Sequence, residues 1–589
     1  MREVTGGPAA IARKTLHYSL RLGTMAIRVA GRIPSLDVPV RRSLARERRN
    51  VGRMRPGVLA LLVGLAGLVI LAAAPVPHVD GDALLYARIA ANVLASGDWL
   101  TFHHPGWLVD KPPMVFWFMA GSFWLLGISD ATMRLWQLLL ALGLMGITTA
   151  ASRASGGSRV ESLLAALILG TALQFFYQAT APGQDVALTV FLSCAVYGLL
   201  RYVQRGGAWW MGVSSVAVAL AMLTKGLVGL ALFGAVVMVA AAWIRRAPPY
   251  PWPRMAAHAG AAAVGFAAVA LPWYAYGVWR HGEPFVNTFL TSGALGIGRF
   301  FRPVLSAPPP YWIAIFAYLP LLLLGALPWT PAFLAGLPGI ARIVREDPPG
   351  PRIVVAWFVG MFAVLSLSSG DKVFRYLLPV YPPLAVLTAR GLIGLVEDRR
   401  RLRAAGWLAV GPAVVLAAAG FWSLWAAFPP ARGLLVAVVL PGVGMLAVAV
   451  AGFGAAALAG AGRAAILIAA VGAMTGYALF ERSLVVHRTA VDPWPAIVTA
   501  AAPYAQARPL LVLYGRAAEG FNFAQFHFET PVLTAQSLDE LRALWQQHLL
   551  VVVPLERAGE LAALRPTPVV LLRSDARVLL ISNNPPLGR

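Results

Sequence analysis

Acidic, basic and tyrosine side chains of this chain gather in short motifs where long apolar segments end. Charged groups at such a depth are costly unless they are paired or face a wet cavity, so they mark function more often than scaffold. A carboxylate there can remove a proton from an attacking group, and cations can stabilise a leaving anion. The motifs are Asp80-Gly-Asp82 with Tyr86, Val109-Asp110-Lys111-Pro112-Pro113, Gly183-Gln184-Asp185, Thr224-Lys225-Gly226, and the segment 368–384 with Lys372, Arg375 and Tyr376.

Lysine is scarce among the basic residues. Only four of the 49 Lys and Arg residues are lysine, namely Lys14, Lys111, Lys225 and Lys372. A lysine that persists against an arginine bias indicates a position where a compact ammonium is needed and a planar guanidinium would not serve. Chance is the simpler alternative, and the functional interpretation requires that these lysines share one side of the membrane.

The composition is that of a polytopic membrane protein. Hydrophobic residues make up 59% of the 589 residues, and the mean hydropathy is +0.69. Apolar segments of a length that can span a bilayer, roughly 17–25 residues, recur along most of the chain. The single cysteine, Cys194, excludes a disulfide framework or a cysteine metal cluster.

The net charge of +24 does not indicate nucleic-acid binding. Thirteen of the basic residues lie in residues 1–55, and many others lie in short loops between apolar segments. Positive-inside topology and attraction to anionic lipid account for that distribution.

Thirteen membrane spans with an inside amino terminus fit both the apolar segments and the loop charges. Every inner loop then carries arginine, as the positive-inside rule requires. The run 114–128 is excluded from the count because counting it would invert every later loop, and we expect it to lie as a helix at the outer interface. This register places Lys111, Lys225 and Lys372 at the outer face. The predicted spans are 57–75, 135–151, 161–177, 185–200, 208–223, 226–243, 258–277, 312–336, 352–368, 376–394, 406–427, 433–459 and 464–481.

Three regions follow from this pattern. We expect a basic cytoplasmic extension over 1–55, a transmembrane domain over 56–481 with a large first outer loop at 76–134, and an outer α/β domain over 482–589. A helix over 537–547 would begin after Ser537. The short β-type runs of the last region are 509–515, 530–535, 549–554, 567–573 and 577–582.

The first outer loop resembles that of polyprenyl-phosphate-dependent membrane glycosyltransferases. The stretch DALLYARIAANVLASGDWL from Asp82, followed by VDKPPMVFWFMAGSFWLLG and RLW, is similar to the protein O-mannosyltransferase-like and aminoarabinose lipid A transferase-like enzymes of the GT-C fold (family 39/83 type). LPWY (271–274), LPWT (327–330) and DKVFRYLLPVYPPLAVL also match, the last being similar to the family's Ser-Lys…Tyr-Ile-Leu-Pro stretch. The resemblance covers about residues 57–400.

The resemblance implies an all-α polytopic GT-C fold of about 13 transmembrane helices with a small C-terminal α/β periplasmic domain, in the bacterial inner membrane. It also implies an inverting transfer of a sugar from a polyprenyl phosphate to an acceptor. Asp82 aligns with the family's loop-one aspartate, the general base. Asp185 matches the second outer-loop acid, which would orient the acceptor or the surroundings of Asp82. The simpler alternative for both aspartates is a helix cap.

The remaining candidates are binding residues. A headgroup contact is the simpler alternative for Lys372 and Arg375. The predicted ligands of the donor phosphate are Lys111, Lys225, Lys372 and Arg375. The predicted substrate-binding residues are Asp80, Tyr86, Asp110 and Tyr376.

This chain departs from the family pattern at three points. Ala83 follows Asp82 where family members commonly carry Asp-Glu, and Asp110 stands where the aminoarabinose branch has Glu. The outer loop 278–311 reads SGALGIGRFF in place of a Glu-His-x-x-Arg-Phe type sequence, which argues against a divalent metal there. His103 and His104 near Asp110 are the other candidate ligands for a divalent metal, although plain loop residues are the simpler interpretation.

A transporter or flippase for a lipid-linked sugar or a solute is the main alternative function. Transporters typically show paired half-repeats and interrupted helices near the midplane, whereas here the charged motifs cluster at one interface and no repeat is visible. A scaffold for envelope assembly would leave the outer charges unexplained. An enzyme would have as partners a polyprenyl-phosphate-linked sugar, membrane lipids, and a lipid, glycan or protein acceptor.

Overall fold

The computed structural model describes residues 55–73, 81–104, 107–108, 111–243, 250–291, 311–346, 349–368, 372–426, 440–491, 494–507, 510–515, 532–574 and 578–583. Residues 54–589 form one compact unit. The predicted extension 1–55 lies outside the described residues except for Arg55.

Helices make up most of the described chain as far as residue 507. The predicted first outer loop adds a two-stranded hairpin, in which β1 (His103–His104) pairs antiparallel with β2 (Trp107–Leu108). The helices are α1 (Pro56–Leu71), α2 (Gly81–Ser96), α3 (Met114–Leu126), α4 (Asp130–Ala154), α5 (Arg159–Gly170), α6 (Leu173–Thr180), α7 (Gln184–Arg205), α8 (Ala208–Lys225), α9 (Leu227–Trp243), α10 (Trp252–His281), α11 (Glu283–Val286), α12 (Tyr311–Ala314), α13 (Tyr318–Gly325), α14 (Thr330–Glu346), α15 (Pro349–Leu367), α16 (Tyr381–Glu397), α17 (Arg399–Ala426), α18 (Leu440–Leu458), α19 (Gly462–Val491) and α20 (Trp494–Ala501).

The helices match the predicted membrane spans. Nine helices in the described part of the chain are long and apolar enough to cross a membrane, or up to eleven if each of two bent pairs forms one span. One of the nine is α16 together with the 3-10 helix Phe374–Val380 that leads into it. α1 and α9 are apolar but shorter, with 16 and 17 residues. Within the described residues, each predicted span overlaps one of these helices or pairs, so the predicted polytopic helical fold is confirmed.

Two predicted spans, 161–177 and 312–336, are each interrupted, because each corresponds to a bent pair of helices. α5 and α6 are bent by 62°, and α13 and α14 are bent by 108°. The two breaks contact each other: the Trp329 indole donates to Thr171 Oγ1 at 2.9 Å, and Leu173 N donates to Leu327 O at 3.0 Å. Backbone groups that a break frees inside a membrane protein need protein partners. Each break supplies partners for the other.

The first outer loop folds around an aromatic core. The Tyr86 ring of α2 meets Phe116 of α3 edge-on, with ring centroids 5.7 Å apart. Phe102 lies 4.7 Å from Phe116 and 6.5 Å from Trp273, between centroids, and the Trp273 indole donates to Leu100 O at 3.2 Å. Trp273 belongs to the LPWY motif in α10, so this membrane helix fixes the position of the loop.

The apolar run at 114–128 forms α3, a helix of 13 residues. Its first turn packs into the aromatic core, whereas Trp124, Leu125 and Leu126 at its end are 73%, 69% and 61% exposed. No part of the described chain covers this apolar end, which suits the interfacial region of a bilayer. The predicted helix is confirmed, and its place at the outer interface stays a prediction.

The C-terminal region contains the strands β3 (Leu510–Tyr514), β4 (Val532–Ala535), β5 (Leu549–Pro554), β6 (Val569–Ser574) and β7 (Val578–Ser582). They form a five-stranded sheet in the order β4-β3-β5-β7-β6. β3 pairs in parallel with β4 and β5, and β7 pairs antiparallel with β5 and β6. Two clusters of apolar side chains, including Leu541 with Val551 and Ile497 with Val552, bury alternate residues of the central strands. The predicted runs and the helix capped by Ser537 are confirmed. This helix is α21 (Leu538–Leu544).

Candidate active site

Asp185 and Lys225 form a buried ion pair between two membrane helices. α7 begins directly after Gly183, and α8 ends at Lys225, where Gly226 adopts a φ of 65°. A short turn joins the two helices as an antiparallel hairpin, so the start of α7 meets the end of α8. The Lys225 ammonium donates to Asp185 Oδ1 at 2.5 Å, and the two side chains are 12% and 5% exposed.

The helix-cap alternative for Asp185 is wrong. The N-cap position of α7 is Gly183, and Asp185 lies in the first helical turn. A carboxylate in the first turn is favoured by the helix dipole, but here its oxygen also holds the Lys225 ammonium. Asp185 is therefore available for a role in the site through this ion pair.

Tyr376 and Arg375 extend the cluster from a third element. The 3-10 helix Phe374–Val380 carries both residues and leads directly into α16. Lys225 Nζ lies 4.0 Å from the centre of the Tyr376 ring, and Arg375 Cζ lies 5.9 Å from the same ring. A cation over an aromatic ring is stabilised by roughly 0.5–2 kcal/mol. The structure thus brings Asp185, Lys225, Arg375 and Tyr376 together, and we call these residues the Asp185 cluster.

Gln137 of α4 fixes the backbone that precedes Asp185. Its Oε1 accepts from Gly183 N at 2.7 Å, and its Nε2 donates to Gln178 O at 2.7 Å and to Ala181 O. The side chain is only 1% exposed. Because a buried amide leaves few alternatives for its donors and acceptor, these bonds determine where α7 begins.

Lys372 lies in the connection between α15 and the 3-10 helix. Its ammonium donates to Leu365 O and Ser366 O, both at 2.9 Å, and to Ser368 O. Burial lowers the pKa of Lys372 to about 8. The lysine is therefore bonded to backbone carbonyl groups at the end of α15. Its predicted contact with the donor phosphate stays a prediction.

Part of the predicted site lies in the first outer loop. The backbone of Asp82 lies in the first turn of α2, and the Tyr86 side chain is buried against Phe116. Lys111 is half-buried just before α3. The side chain of Asp82, together with Asp80 and Asp110, lies outside the described part of the structure, so their predicted roles stay predictions.

A metal site can be assessed only for part of the chain. Among the side chains that the structure describes, no group of three His, Cys, Asp or Glu residues could hold a metal ion. The predicted candidates His103, His104 and Asp110, and the SGALGIGRFF segment, have side chains outside that set. A divalent metal at these residues therefore stays a prediction from the sequence.

The fold class and the resemblance are confirmed by comparison with known proteins. Residues 75–283 match the family model for dolichyl-phosphate-mannose-protein mannosyltransferase. The structure of ArnT from Cupriavidus metallidurans bound to undecaprenyl phosphate superposes with a TM-score of 0.68 at 24% identity, covering 90% of this chain and 98% of that one. The chain therefore has the GT-C fold, with a small sheet at its C-terminal end.

Relatives in sequence are similar over about half of this chain. An undecaprenyl phosphate-alpha-4-amino-4-deoxy-L-arabinose arabinosyl transferase of Sodalis glossinidius is 29% identical over 316 residues, which is 52% of this chain and 54% of the relative. An uncharacterized protein of Aquifex aeolicus is 26% identical over 305 residues, 52% of this chain and 57% of the relative. The match thus spans somewhat more than half the length of these relatives.

Sequence reasoning missed the residues that hold the cluster in place. Gln137 binds Gly183 N, Gln174 Nε2 donates to Phe374 O, and the Tyr318 hydroxyl donates to Val373 O. Such bonds to backbone groups depend on tertiary structure. A buried glutamine inside an apolar segment is the one signal that could have identified Gln137 and Gln174, because a membrane helix tolerates an amide poorly without a partner. Both side chains are 1% exposed or less.

Proposed function

We propose that this protein is a membrane glycosyltransferase that moves a sugar from a polyprenyl-phosphate donor to a periplasmic acceptor. The observation that carries the proposal is the Asp185 cluster, in which a carboxylate, two cations and a tyrosine converge at the ends of membrane helices. The names of the relatives and the ArnT-like fold support the same chemistry. The acceptor group would be a hydroxyl or a phosphate of a lipid such as lipid A, of a glycan or of a protein.

The proposed reaction is a single displacement at the anomeric carbon. An acceptor hydroxyl attacks C1, the C1–O bond to the donor phosphate breaks, and the polyprenyl phosphate leaves with the bonding electron pair. Asp82 takes the proton of the attacking hydroxyl as general base. Attack from the face opposite the leaving phosphate inverts the configuration at C1, through a transition state with oxocarbenium character.

Cations near the leaving phosphate would accelerate this step. The donor is a phosphate diester, and the leaving group gains negative charge as the C1–O bond breaks. A fixed cation therefore binds the transition state better than the ground state, which is the requirement for catalysis. In this proposal Lys225 and Arg375, which lie beside Tyr376, would take this role, together with Lys111 from the first outer loop.

Asp185 would act through Lys225. Its Oδ1 is bound to the ammonium, which fixes the lysine over the Tyr376 ring. A lysine ammonium has three N–H donors, and the Asp185 contact uses one of them. The other donors are open to a phosphate oxygen in this proposal, and the second Asp185 oxygen to the acceptor.

We place the site at the periplasmic face of a bacterial inner membrane. The support is the uniformly basic character of the predicted inner loops, which puts the Asp185 cluster and the C-terminal sheet on the opposite side. A periplasmic site agrees with a lipid-phosphate donor, because the C1–O–phosphate linkage needs no nucleotide.

Turnover of labelled donors tests the proposal. Purified protein in nanodiscs would be given polyprenyl-phosphate sugars carrying a radiolabel in the sugar, with lipid A, a glycan or a peptide as acceptor. We expect release of polyprenyl phosphate in step with appearance of the labelled product, and inverted configuration at C1. Movement of the intact labelled donor from one leaflet of a proteoliposome membrane to the other, without release of polyprenyl phosphate, would instead support a flippase and refute the proposal.

A further inference from the structure

Lys372 differs from Lys225 in what its ammonium contacts. Nζ lies 2.9 Å from Leu365 O, 2.9 Å from Ser366 O and 3.2 Å from Ser368 Oγ, and it also donates to Ser368 O. It sits 5.1 Å from the centre of the Tyr318 ring. An ammonium has three N–H donors, and these contacts use all of them.

The oxygens that Lys372 binds belong to the end of α15. The carbonyl groups in the last turn of a helix lack partners within that helix. Ser368 N satisfies Val364 O at 3.0 Å, and Lys372 supplies donors for the next two carbonyl groups. The positive charge also meets the negative end of the helix dipole. Lys372 thus anchors the chain that follows α15 back onto the end of that helix.

The anchored backbone leads directly to Arg375 and Tyr376. The Tyr318 hydroxyl donates to Val373 O at 3.3 Å, and Gln174 Nε2 donates to Phe374 O at 3.0 Å. Three consecutive residues, beginning at Lys372, are therefore held by α15, α13 and α6 in turn. Two residues further on, the Tyr376 ring lies under Lys225. A displacement at Lys372 would move that ring away from the Asp185–Lys225 pair.

We propose that Lys372 is a positioning residue: by binding the C-terminal carbonyl groups of α15 it sets the place of Arg375 and Tyr376, and it leaves the donor phosphate to the other cations. The role of the positioned residues rests on the proposed function, whereas the geometry does not. The direction of the pKa shift agrees, because burial withdraws this ammonium from water and lowers its pKa.

The scarcity of lysine allows a direct test. Full-length protein labelled with carbon-13 at the lysine ε position in nanodiscs should give four side-chain signals, one for each of the four lysines. Each signal can be assigned by a Lys→Arg substitution. The Lys225 signal should carry a ring-current shift from Tyr376, and Tyr376→Leu should abolish that shift.

The expected result is that Lys372→Met moves the Lys225 signal most of the way to its position in Tyr376→Leu. Lys14→Met, a matched loss of a lysine outside the site, should leave it unchanged. If Lys372→Met does not fold, Lys372→Gln keeps an amide donor for one carbonyl and should move the signal part of the way. A Lys225 signal that stays at its wild-type position in the folded variant overturns the proposal, because Lys372 would then be a helix cap alone.

Addition of undecaprenyl phosphate to the labelled wild-type protein provides the second arm. We expect the Lys225 signal to shift and the Lys372 signal to stay in place. A Lys372 shift as large as that of Lys225 would make Lys372 a phosphate ligand and overturn the proposal. If no lysine signal responds, the proposed donor is wrong, and the result of the first arm still decides the positioning role.

Discussion

The Asp185–Lys225 ion pair permits a quantitative prediction about stability. Lys225→Met removes the cation and leaves the carboxylate of Asp185 almost fully buried, with its side chain 5% exposed. Breaking a buried pair by removing one partner costs about 3–5 kcal/mol, because an uncompensated charge remains in a medium of low polarity. Loss of the contact with the Tyr376 ring adds roughly 0.5–2 kcal/mol. Lys225→Met should therefore be strongly destabilising.

The double variant Asp185→Asn/Lys225→Met should be much less affected. It removes both charges, so no uncompensated charge remains buried, although the amide at position 185 loses the hydrogen bond that the carboxylate had. We expect its free energy of unfolding to lie closer to wild type than that of Lys225→Met. The two changes should thus be coupled by about 2 kcal/mol or more, since contacting residues depart from additivity by as much as about 3 kcal/mol.

Reversible unfolding in mixed micelles, followed by tryptophan fluorescence, measures these free energies. Asp398 and Arg401 supply the control cycle, because their contact at 3.2 Å joins side chains that are 43% and 36% exposed. An exposed pair of this kind contributes about 0–1 kcal/mol, so Asp398→Asn and Arg401→Met should be nearly additive. Additive effects at Asp185 and Lys225 as well would contradict the buried ion pair.

Three further predictions concern positioning, titration and topology. Gln137→Leu should lower the rate of transfer, because Gly183 N and two carbonyl groups lose their partner. The control is Gln204→Leu, which removes the 2.6 Å bond to Ala154 O and should destabilise the protein without changing the transfer rate. Equal rates for the two variants would refute the role of Gln137. Lys372 should titrate near pH 8 by lysine NMR. Because its pKa in the folded state lies below the unfolded value of 10.5, its contribution to the free energy of unfolding should rise as the pH rises from about 8 to 10.5. Titration near 10.5 would refute the burial of this side chain. Cysteines that replace the exposed residues Arg159 and Asp539, in a Cys194→Ser background, should be labelled from opposite sides of the membrane, and labelling of both from one side would refute the predicted topology.

The membrane helices could be predicted from sequence because apolar length and loop charge are local properties of the chain. The same holds for the strands of the C-terminal region, such as LLVVVP (549–554). The breaks at 171–172 and 326–329 could not be predicted in this way. Their backbone groups are satisfied by contacts such as Trp329 to Thr171, which join residues far apart in the chain.

In the candidate site, too, the sequence predicted residue types, whereas the contacts between them required the structure. The motifs identified Asp185, Lys225 and Tyr376 as residue types, but their pairing joins separate elements and required the structure. The scarcity of lysine drew attention to Lys225 and Lys372 alike, although the two ammonium groups have different partners. Lys225 faces a carboxylate and a ring, whereas Lys372 binds the end of a helix. Composition cannot distinguish these environments because it contains no information about neighbours in space.

The most direct test of sugar transfer is the single-turnover rate of Asp82→Asn with a labelled polyprenyl-phosphate sugar. The amide keeps the shape of the side chain but removes the base, so the rate should fall by about a hundred- to ten-thousand-fold while donor binding is nearly unchanged. Asp398→Asn, at an exposed aspartate between α16 and α17, is the matched control and should retain the wild-type rate. If Asp82→Asn transfers sugar at close to the wild-type rate, the general base lies elsewhere and the proposed mechanism is contradicted.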